Sequence, residues 1–443
     1  MDLGQALLAA SIAPETGLDI FSSELDLDDI RRALEATGTA TIRRRKLPAE
    51  HAVWIVVGMG LFRDRPIQAV VRHLNLVLPD AKRPGGLGRI TGGAVVQARD
   101  RLGSEPLAVL FGDTADNWAT ASADKHRWRG LVVHGLDGST LRIPDTEENE
   151  SAFGRPGASR GRSAYPQVRL VALMVLRSHI LAALRLGPCT SSELKLAEDL
   201  WPLLPDDSIT LIDRGFISYK VFHDIQSGGK NRHWLTRAKA KLKLRVIKRL
   251  GRGDDLVELP INRHLRRAHP DLPETLQVRA IRYQRRGFPA QTLLTSLLDS
   301  TRYPAREIAE LYHERWELEL GFDEIKTHTL DREEALRSRA PERIRQELWG
   351  LAIGYNLVRL EMERAAQRIG LPPSRISYRA SLLMIRNFWL AAWQVETGNL
   401  PRRLDILHED VALNVLPPRR QRRYPRAVKI KMSNYALNRE GLK

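Results

Sequence analysis

The chain has 443 residues, a length typical of two or three domains. Hydrophobic residues make up 43% and charged residues 28%, near globular averages, so a disordered or fibrous chain is excluded. The single cysteine, Cys189, excludes an internal disulfide framework and a cysteine-rich zinc site. Lys and Arg total 70 against 53 acidic residues, a net charge of +17, which predicts a polyanionic partner.

The apolar segments indicate neither secretion nor membrane insertion. Residues 1–15 include Asp2 and Glu15 and lack the basic start of a secretory signal. The longest apolar stretch, Ala52–Phe62, has about half of the roughly 20 residues that a membrane-spanning helix needs. We therefore expect a cytoplasmic protein.

The positive charge is concentrated in two segments. Residues 230–267 contain thirteen basic and three acidic residues, and residues 419–443 contain nine basic and one acidic. Such segments are either solvated faces or contacts with the phosphates of a nucleic acid, and we favour the second interpretation. In the first segment Arg245, Lys248 and Arg249 are the expected DNA contacts.

The first 125 residues have the apolar spacing of helices. A glycine-rich break at 84–88 precedes the last short helix before Gly103, which either reads DNA or packs in a bundle. The predicted helices are Asp26–Ala36, Pro48–Phe62, Arg65–Leu78 and Val95–Leu102.

From Arg129 onward, short apolar runs predict strands. The order of strands and helices is that of a ribonuclease-H-like α/β domain. The predicted strands are Leu131–Leu136, Thr140–Ile143, Val168–Leu176, Ile180–Leu186, Ser208–Ile212 and His233–Thr236. The predicted helices among them are Ser192–Leu204 and Ile217–Gln226.

Residues 238–298 have alternating runs that predict a mainly β insertion, and later segments are helical. The four runs are Leu244–Ile247, Leu256–Leu259, Leu276–Tyr283 and Gln291–Leu297. The later helices are Pro304–Lys326, Pro341–Arg368 and Tyr378–Val395, followed by a basic tail broken by prolines.

We therefore predict three parts. Residues 1–125 form a helical domain, and residues 126–340 form an α/β domain that contains the insertion. Residues 341–443 form a helical and basic C-terminal region.

Two aspartates are expected at strand ends. Asp137 begins the predicted turn Asp137-Gly138-Ser139, and Asp213 follows the strand that ends at Ile212. A carboxylate at a strand end is rigidly held, and a following glycine lets a substrate approach. Each motif alone is weak evidence, since Asp-Gly is most often only a turn.

A helical stripe is more specific. At about 100° per residue, Tyr312, Arg315, Glu319 and Lys326 lie within an arc of about 60°. Asp323 lies about 40° from Glu319 and competes with it for the same role.

The alternative is an exposed helix with i,i+4 ion pairs, which is the role we expect for Glu314, Glu317 and Glu324. Two strand-end aspartates and a helical glutamate would converge over one sheet edge. Three carboxylates suit two divalent cations about 3.5–4 Å apart, the arrangement for in-line phosphoryl transfer. Neighbouring Arg and Tyr side chains would hold the DNA strand by its phosphates.

These residues resemble a known family, the DDE transposases of bacterial insertion sequences. The pattern Tyr-x2-Arg-x3-Glu-x6-Lys of the insertion sequence 4 group is met by Tyr312, Arg315, Glu319 and Lys326. The longer gap between the second aspartate and the glutamate accommodates the β insertion that this group carries. The similar context comprises Asp137-Gly138-Ser139, Asp213-Arg214-Gly215-Phe216, Thr295-Ser296-Leu297-Leu298-Asp299 and the N-terminal Arg45-Lys46-Leu47-Pro48.

The resemblance implies cut-and-paste transposition, in which DNA is cleaved at the element ends and joined to target DNA. It implies that Asp137, Asp213 and Glu319 bind two Mg²⁺ ions, for which Mn²⁺ is a substitute, and are catalytic. Tyr312 and its neighbours Arg315 and Lys326 would contact the DNA strand. The implied partners are terminal inverted repeats and target DNA, bound by a homodimer associated with the nucleoid.

Two alternatives stay open at this stage. The first is a catalytically inactive DNA-binding protein derived from a transposase, and the second is a nuclease that never joins strands. Some relatives flip a base onto a tryptophan in the β insertion, but no tryptophan lies between Lys239 and Ser300. Trp234 precedes the insertion and is expected in the core, and Tyr283 or Phe288 is a candidate substitute. Whether a DNA hairpin forms therefore stays open.

Overall fold

A computed structural model gives the arrangement of most of the chain. It describes residues 24–40, 47–74, 78–79, 87–88, 90–158, 161–239, 242, 244–285, 288–330, 335–391 and 399–418. Three predicted features lie outside these residues: Arg45-Lys46, the glycines at 85–86 and the basic tail 419–443. No helix of the described ranges is both long and apolar enough to cross a membrane.

Helices precede the first long strand, close to the predicted positions. Asp26 caps the first of them by accepting a hydrogen bond from the Asp28 N–H, and the Thr91 side chain caps the fourth. That fourth helix ends at Gly103, whose φ of 68° is easily adopted by glycine. The helices are α1 Leu27–Ala36, α2 Ala49–Leu61, α3 Ile67–His73, α4 Gly92–Leu102 and α5 Glu105–Lys125.

A nine-stranded sheet forms the centre of the described structure. Its strand order is β6-β7-β8-β9-β5-β4-β1-β2-β3, and the pairs β1–β4 and β4–β5 are parallel while the other pairs are antiparallel. The strands are β1 Val132–Arg142, β2 Gln167–Val175, β3 Leu181–Pro188, β4 Ser208–Ile212, β5 Arg232–Arg237, β6 Arg245–Gly251, β7 Asp254–Pro260, β8 Thr275–Tyr283 and β9 Gln291–Thr295. Pairs of two-residue strands form at 78–79 with 87–88 and at 157–158 with 161–162.

One sequence prediction about these strands is corrected. The segment Asp137-Gly138-Ser139 is not a turn, because β1 runs through it and all three residues pair with β2. The four strands predicted in residues 238–298 form, and they extend the central sheet beyond β5 as β6 to β9.

Helices cover both faces of the sheet and form most of the C-terminal part. The predicted helix Ser192–Leu204 is divided: α7 ends at Ala197 and a separate 3₁₀ turn covers Trp201–Leu203, where Pro202 lacks a donor. Helix α14 lies where only a proline-broken tail was predicted. The helices are α6 Glu147–Phe153, α7 Glu193–Ala197, α8 Tyr219–Ser227, α9 Arg263–Ala268, α10 Ala305–Tyr312, α11 Trp316–Asp323, α12 Pro341–Arg368, α13 Tyr378–Ala391 and α14 Leu400–Ala412.

Helices α2 and α12 cross in direct backbone contact. A Cβ atom on Gly60 would lie 2.5 Å from the Gly350 carbonyl oxygen, and one on Gly350 would lie 2.5 Å from the Val56 carbonyl oxygen. The buried ion pair between Arg63 and Glu347 lies beside this crossing. The N-terminal helices are therefore packed firmly on the long helix α12.

The opposite face of the sheet has its own core, formed with α8 and the 3₁₀ turn at 201–203. Trp234 is fully buried there, stacked on Phe222 with ring centroids 3.7 Å apart, and its Nε1–H donates to Gln226 Oε1 at 3.1 Å. The prediction that Trp234 packs in the core is confirmed.

Candidate active site

The two predicted aspartates follow neighbouring parallel strands. The register of β1 and β4 pairs Leu136 with Ile212, so Asp137 and Asp213 are the next residues at the same end of this pair. Adjacent strands lie about 4.8 Å apart, which brings the two carboxylates close together. The Asp137 Oδ1 accepts a hydrogen bond from the Gly138 N–H at 2.8 Å.

The surroundings of Asp137 shift its pKa. Burial raises the pKa of Asp137 to about 6. The Gly138 N–H and Arg315 act to lower that pKa, whereas the negative charges of Glu193 and Asp213 add to the increase. Asp137 therefore lies near two other negative charges, and Arg315 partly offsets them.

Glu193 at the start of α7 is an acidic neighbour that sequence reasoning missed. A Cβ atom on Gly138 would lie 2.5 Å from the Glu193 Cδ, so Gly138 makes room for this carboxylate rather than for a substrate. Arg169 Nη1 donates to Glu193 Oε1 at 2.7 Å. The helix-start pattern Ser192-Glu193 is visible in the sequence, but it gives no sign that the carboxylate reaches Asp137.

Two glycines let the helix α11 pack closely on the strand that carries Asp137. A Cβ on Gly135 would lie 2.6 Å from Leu318 Cδ1, and one on Gly321 would lie 2.4 Å from Met174 Cε. Gly135 precedes Asp137 by two positions in β1, so both lie on the same face of the sheet. The helix therefore covers the face on which the aspartate lies.

Arg315 links the helix to the aspartates. Its Nη2 donates to Glu319 Oε1 at 3.0 Å, with the Arg315 side chain 13% and the Glu319 side chain 42% exposed. Burial acts to lower the pKa of Arg315, but Tyr312, Asp213 and Glu319 together raise it. Arg315 thus lies within electrostatic range of the two aspartates, Tyr312 and Glu319.

Tyr312 is buried on the same helical run. Burial raises its pKa, opposed by the charges of Arg315 and Arg237. Its phenol therefore stays protonated at neutral pH and is available as a hydrogen-bond donor.

The helix predicted to carry one continuous stripe is irregular at two places. A 3₁₀ turn at His313–Arg315 follows α10, and a π-helical turn at Glu324–Thr329 follows α11. Lys326 lies in the π turn, where the angle per residue differs from that of an α-helix. Burial lowers the pKa of Lys326, and the nearby Asp323 opposes this effect.

The competitor Asp323 has partners of its own. Its Oδ1 accepts a hydrogen bond from Thr327 Oγ1 at 2.6 Å, and its charge acts on Lys326. Glu319 instead pairs with Arg315, which is close to the aspartates. The geometry thus favours Glu319 over Asp323 as the third carboxylate.

The carboxylates are close but are not preassembled as a metal site. Within the described ranges, no three His, Cys, Asp or Glu side chains lie close enough together to hold a metal ion. Glu319 points to Arg315 rather than to the aspartates. The donor set is nevertheless all oxygen, which suits hard divalent cations, and the exposed Glu319 side chain has room to change rotamer.

The interpretation of Glu314, Glu317 and Glu324 as solvent-exposed i,i+4 ion pairs is wrong. Glu317 is buried, and all three carboxylates contact the turn Arg177–His179 between β2 and β3. The polar turn between two apolar strands was the available signal for this contact.

The predicted DNA contacts Arg245, Lys248 and Arg249 lie on the outer edge strand β6, and all three are exposed. The Arg245 and Arg249 side chains are 82% and 88% exposed, with loose ion pairs to β7 at 3.4 and 4.0 Å. Tyr283, at the end of β8, contacts the helical run that carries Glu319, since the centroid of its ring lies 5.7 Å from that of His313.

Comparisons with known proteins show the family of the chain. Residues 15–112 match the family model described as insertion element 4 transposase N-terminal, and residues 129–357 match the transposase DDE domain. The chain is 37% identical over 433 residues to the transposase InsG for insertion sequence element IS4 of Escherichia coli (strain K12), covering 97% of this chain and 96% of that protein.

Two further similarities were found. The chain is 34% identical over 284 residues to the putative transposase InsZ of Escherichia coli (strain K12), covering 61% of this chain and 92% of that one. A cryo-EM structure of the piggyBac transposase synaptic complex with hairpin DNA aligns at a TM-score of 0.41 and 11% identity, covering 91% of this chain and 86% of that one.

Proposed function

The chain belongs to the DDE transposases, enzymes that cleave and join DNA, and we propose that Asp137, Asp213 and Glu319 are its catalytic carboxylates. The observation that carries this assignment is the register of β1 and β4, which puts Asp137 and Asp213 side by side at one end of the pair, together with the Arg315–Glu319 ion pair. Residues distant in sequence thereby meet at one end of the β1–β4 pair.

The topology supports a ribonuclease-H-like catalytic domain as part of this proposal. Strands β1, β2 and β3 form an antiparallel meander, and β4 and then β5 add in parallel on the other side of β1. The proposed division is a DNA-binding domain at 1–125, a catalytic domain at 126–340 with an insertion at 238–298, and a C-terminal region at 341–443.

DDE transposases typically use divalent metals, and the three proposed carboxylates have the oxygen donors that such ions prefer. We assign two Mg²⁺ ions to Asp137, Asp213 and Glu319, with Mn²⁺ as a substitute. When bound, such ions activate the attacking water or 3′-hydroxyl and offset the charge of the leaving oxygen. Glu319 would have to exchange its contact with Arg315 for this role.

The neighbouring side chains would position the DNA strand that is cleaved. Arg315, released from Glu319, would bind a phosphate of the cleaved strand in a two-pronged geometry, because a guanidinium matches phosphate oxygens in this way. Tyr312 would donate its phenolic O–H to a phosphate oxygen, and Lys326 would add a further positive charge. These contacts hold the scissile phosphate in line with the attacking oxygen.

The proposed substrates are the terminal inverted repeats of an insertion element and its target DNA. Joining two element ends needs two active sites, so a homodimer is the proposed assembly on DNA. Arg245, Lys248 and Arg249, on the exposed edge strand, are proposed to contact the phosphate backbone.

The test uses a labelled terminal repeat with Mg²⁺ or Mn²⁺. Asp137→Asn, Asp213→Asn and Glu319→Gln should each abolish nicking and joining while retarding the DNA in a gel as wild type does. The matched control Asp323→Asn should keep activity, because Asp323 pairs with Thr327 instead.

The same assay separates the alternatives. A wild-type protein that binds but never nicks would be an inactive derivative, and one that nicks but never joins would be a plain nuclease. Equal loss of DNA binding in the carboxylate variants would contradict the roles assigned to these residues.

A further inference from the structure

The turn between β2 and β3 forms ion pairs and hydrogen bonds with the helical run 305–329, which carries Glu319. Arg177 makes a two-pronged ion pair with Glu314, with Nε to Oε2 at 2.9 Å and Nη2 to Oε1 at 2.8 Å. His179 Nε2 lies 2.9 Å from Glu317 Oε2, and its Nδ1 lies 3.2 Å from Glu324 Oε2. One short turn therefore holds three carboxylates spread over eleven residues of the helical run.

The long helix α12 completes these contacts from the other side. Arg359 Nη2 donates to both carboxylate oxygens of Glu324 at 2.7 Å and contacts the ring of His179. The Tyr355 hydroxyl donates to Glu324 Oε2 at 2.7 Å. Burial acts to raise the pKa of Glu324, but Arg359 and His179 hold it below its ordinary value, so the carboxylate stays charged.

These groups are deeply buried. His179 is 1% exposed and Arg359 is fully buried. His179 also has a φ of 64°, in the left-handed region that costs a non-glycine residue about 1 kcal/mol or more. The fold thus keeps a histidine in a conformation that glycine would adopt more easily, as expected if its ring contacts are needed.

The contacts of Glu317 and Glu324 lie on either side of Glu319 along the helix. Glu317 precedes it by two residues and Glu324 follows it by five, and both face the buried cluster while Glu319 faces Arg315. The close packing at Gly135 and Gly321 fixes the height of the helix above the sheet. The ion pairs of Glu314, Glu317 and Glu324 add polar constraints on its rotation and axial position. A misplacement of about 1 Å in a catalytic group can cost about 100-fold in rate.

We propose that Arg177, His179 and Arg359, the helix clamp, are positioning residues that set the rotation and axial position of α11 so that Glu319 meets the two aspartates. This inference rests on the proposed catalytic role of Glu319. In this proposal the helix clamp acts through the helix rather than through direct contact with DNA or metal.

The first test is a charge swap at the most accessible pair, Arg177 and Glu314. The single variants Arg177→Glu and Glu314→Arg should each lower the single-turnover cleavage rate about 10- to 100-fold. The double variant Arg177→Glu with Glu314→Arg should recover most of that loss. Affinity for the terminal repeat, measured by gel retardation without metal, should be unchanged in all three.

The chain offers a matched control pair. Arg129, also in the left-handed conformation with a φ of 49°, makes a two-pronged ion pair with Glu307 of α10 at 2.6 and 2.5 Å. This pair ties the same helical run to the sheet but lies twelve residues before Glu319. Arg129→Glu and Glu307→Arg should leave the cleavage rate within about threefold of wild type.

The second test does not depend on activity. Binding of Mn²⁺, measured by electron paramagnetic resonance on the full chain without DNA, should weaken about tenfold or more in His179→Asn and in Arg177→Glu. It should be unchanged in Arg129→Glu. Asparagine tolerates the backbone conformation of residue 179, so loss of the ring contacts is tested without added strain.

A purely structural role predicts a different result. The helix clamp variants would then unfold at lower urea concentrations but cleave DNA and bind Mn²⁺ as wild type does, and this result would overturn the inference. Failure of the charge swap to restore cleavage would also overturn it. A different result would contradict the proposed function itself. If the Glu319→Gln variant still nicked DNA, Glu319 would not be catalytic, whatever the helix clamp variants do.

Discussion

Replacing Asp137 by asparagine should stabilise the metal-free protein. The pKa of this carboxyl is raised from 3.8 to about 6, chiefly by burial. When folding raises the pKa of a carboxyl group, the folded protein is most stable below the pKa of the unfolded chain. It loses that stability as the pH rises through the pKa of the folded protein. At about pH 8 the ionised group costs about 3 kcal/mol, since each pKa unit corresponds to about 1.36 kcal/mol.

This magnitude is an upper limit, because Asp137 is only partly buried and screening by water reduces the cost. Asparagine has nearly the same shape and cannot ionise. We therefore expect Asp137→Asn to raise the free energy of unfolding by about 1–3 kcal/mol at about pH 8 with EDTA. Near pH 4 the difference should almost vanish, because wild-type Asp137 is then protonated.

The assay is urea unfolding followed by circular dichroism, at both pH values and with or without Mn²⁺. Excess Mn²⁺ should stabilise wild type and leave the variant unchanged, since binding to the folded state shifts the unfolding equilibrium. Asp116→Asn, at an exposed position of α5, is the control and should change neither curve. A variant no more stable than wild type at pH 8 would refute the claim that Asp137 lies buried among like charges.

Two further predictions concern the helix and the edge strand. Gly135→Val should abolish cleavage while preserving DNA binding in a gel, because the new side chain would collide with Leu318 and push α11 off the sheet; full activity would contradict the role of this close contact. Charge reversal at Arg245, Lys248 and Arg249 should reduce the slope of log affinity against log salt by about 3, measured by fluorescence anisotropy. An unchanged slope would show that these side chains are only solvated.

The sequence predicts much of the fold because its strands are apolar runs of clear length. Ser208–Ile212 is a strand with the predicted bounds, and the helix predicted over Pro341–Arg368 forms with the predicted bounds. Asp213 is correctly expected after its strand, since the apolar run ends at Ile212. Asp137 is different: Asp-Gly favours a turn locally, but pairing with β2 over the whole segment keeps β1 extended.

Some site residues could likewise be placed from the sequence, and others could not. The helical spacing of Arg315 and Glu319 predicts that they are neighbours, and the structure pairs them. Lys326 lies beyond, in the π turn, where a helical wheel no longer applies. Glu317 and Glu324 could not be placed from the sequence, because their partners His179 and Arg359 come from a turn and a helix that are distant in the chain.

The most direct test of the account is the position of Mn²⁺ in crystals of the protein with a terminal-repeat DNA, located by anomalous diffraction. The account predicts anomalous peaks within about 2.2 Å of carboxylate oxygens of Asp137 and Asp213, with Glu319 rotated away from Arg315 to bind as well. Peaks that involve Asp323 in place of Glu319, or that leave the two aspartates unbound, would contradict it.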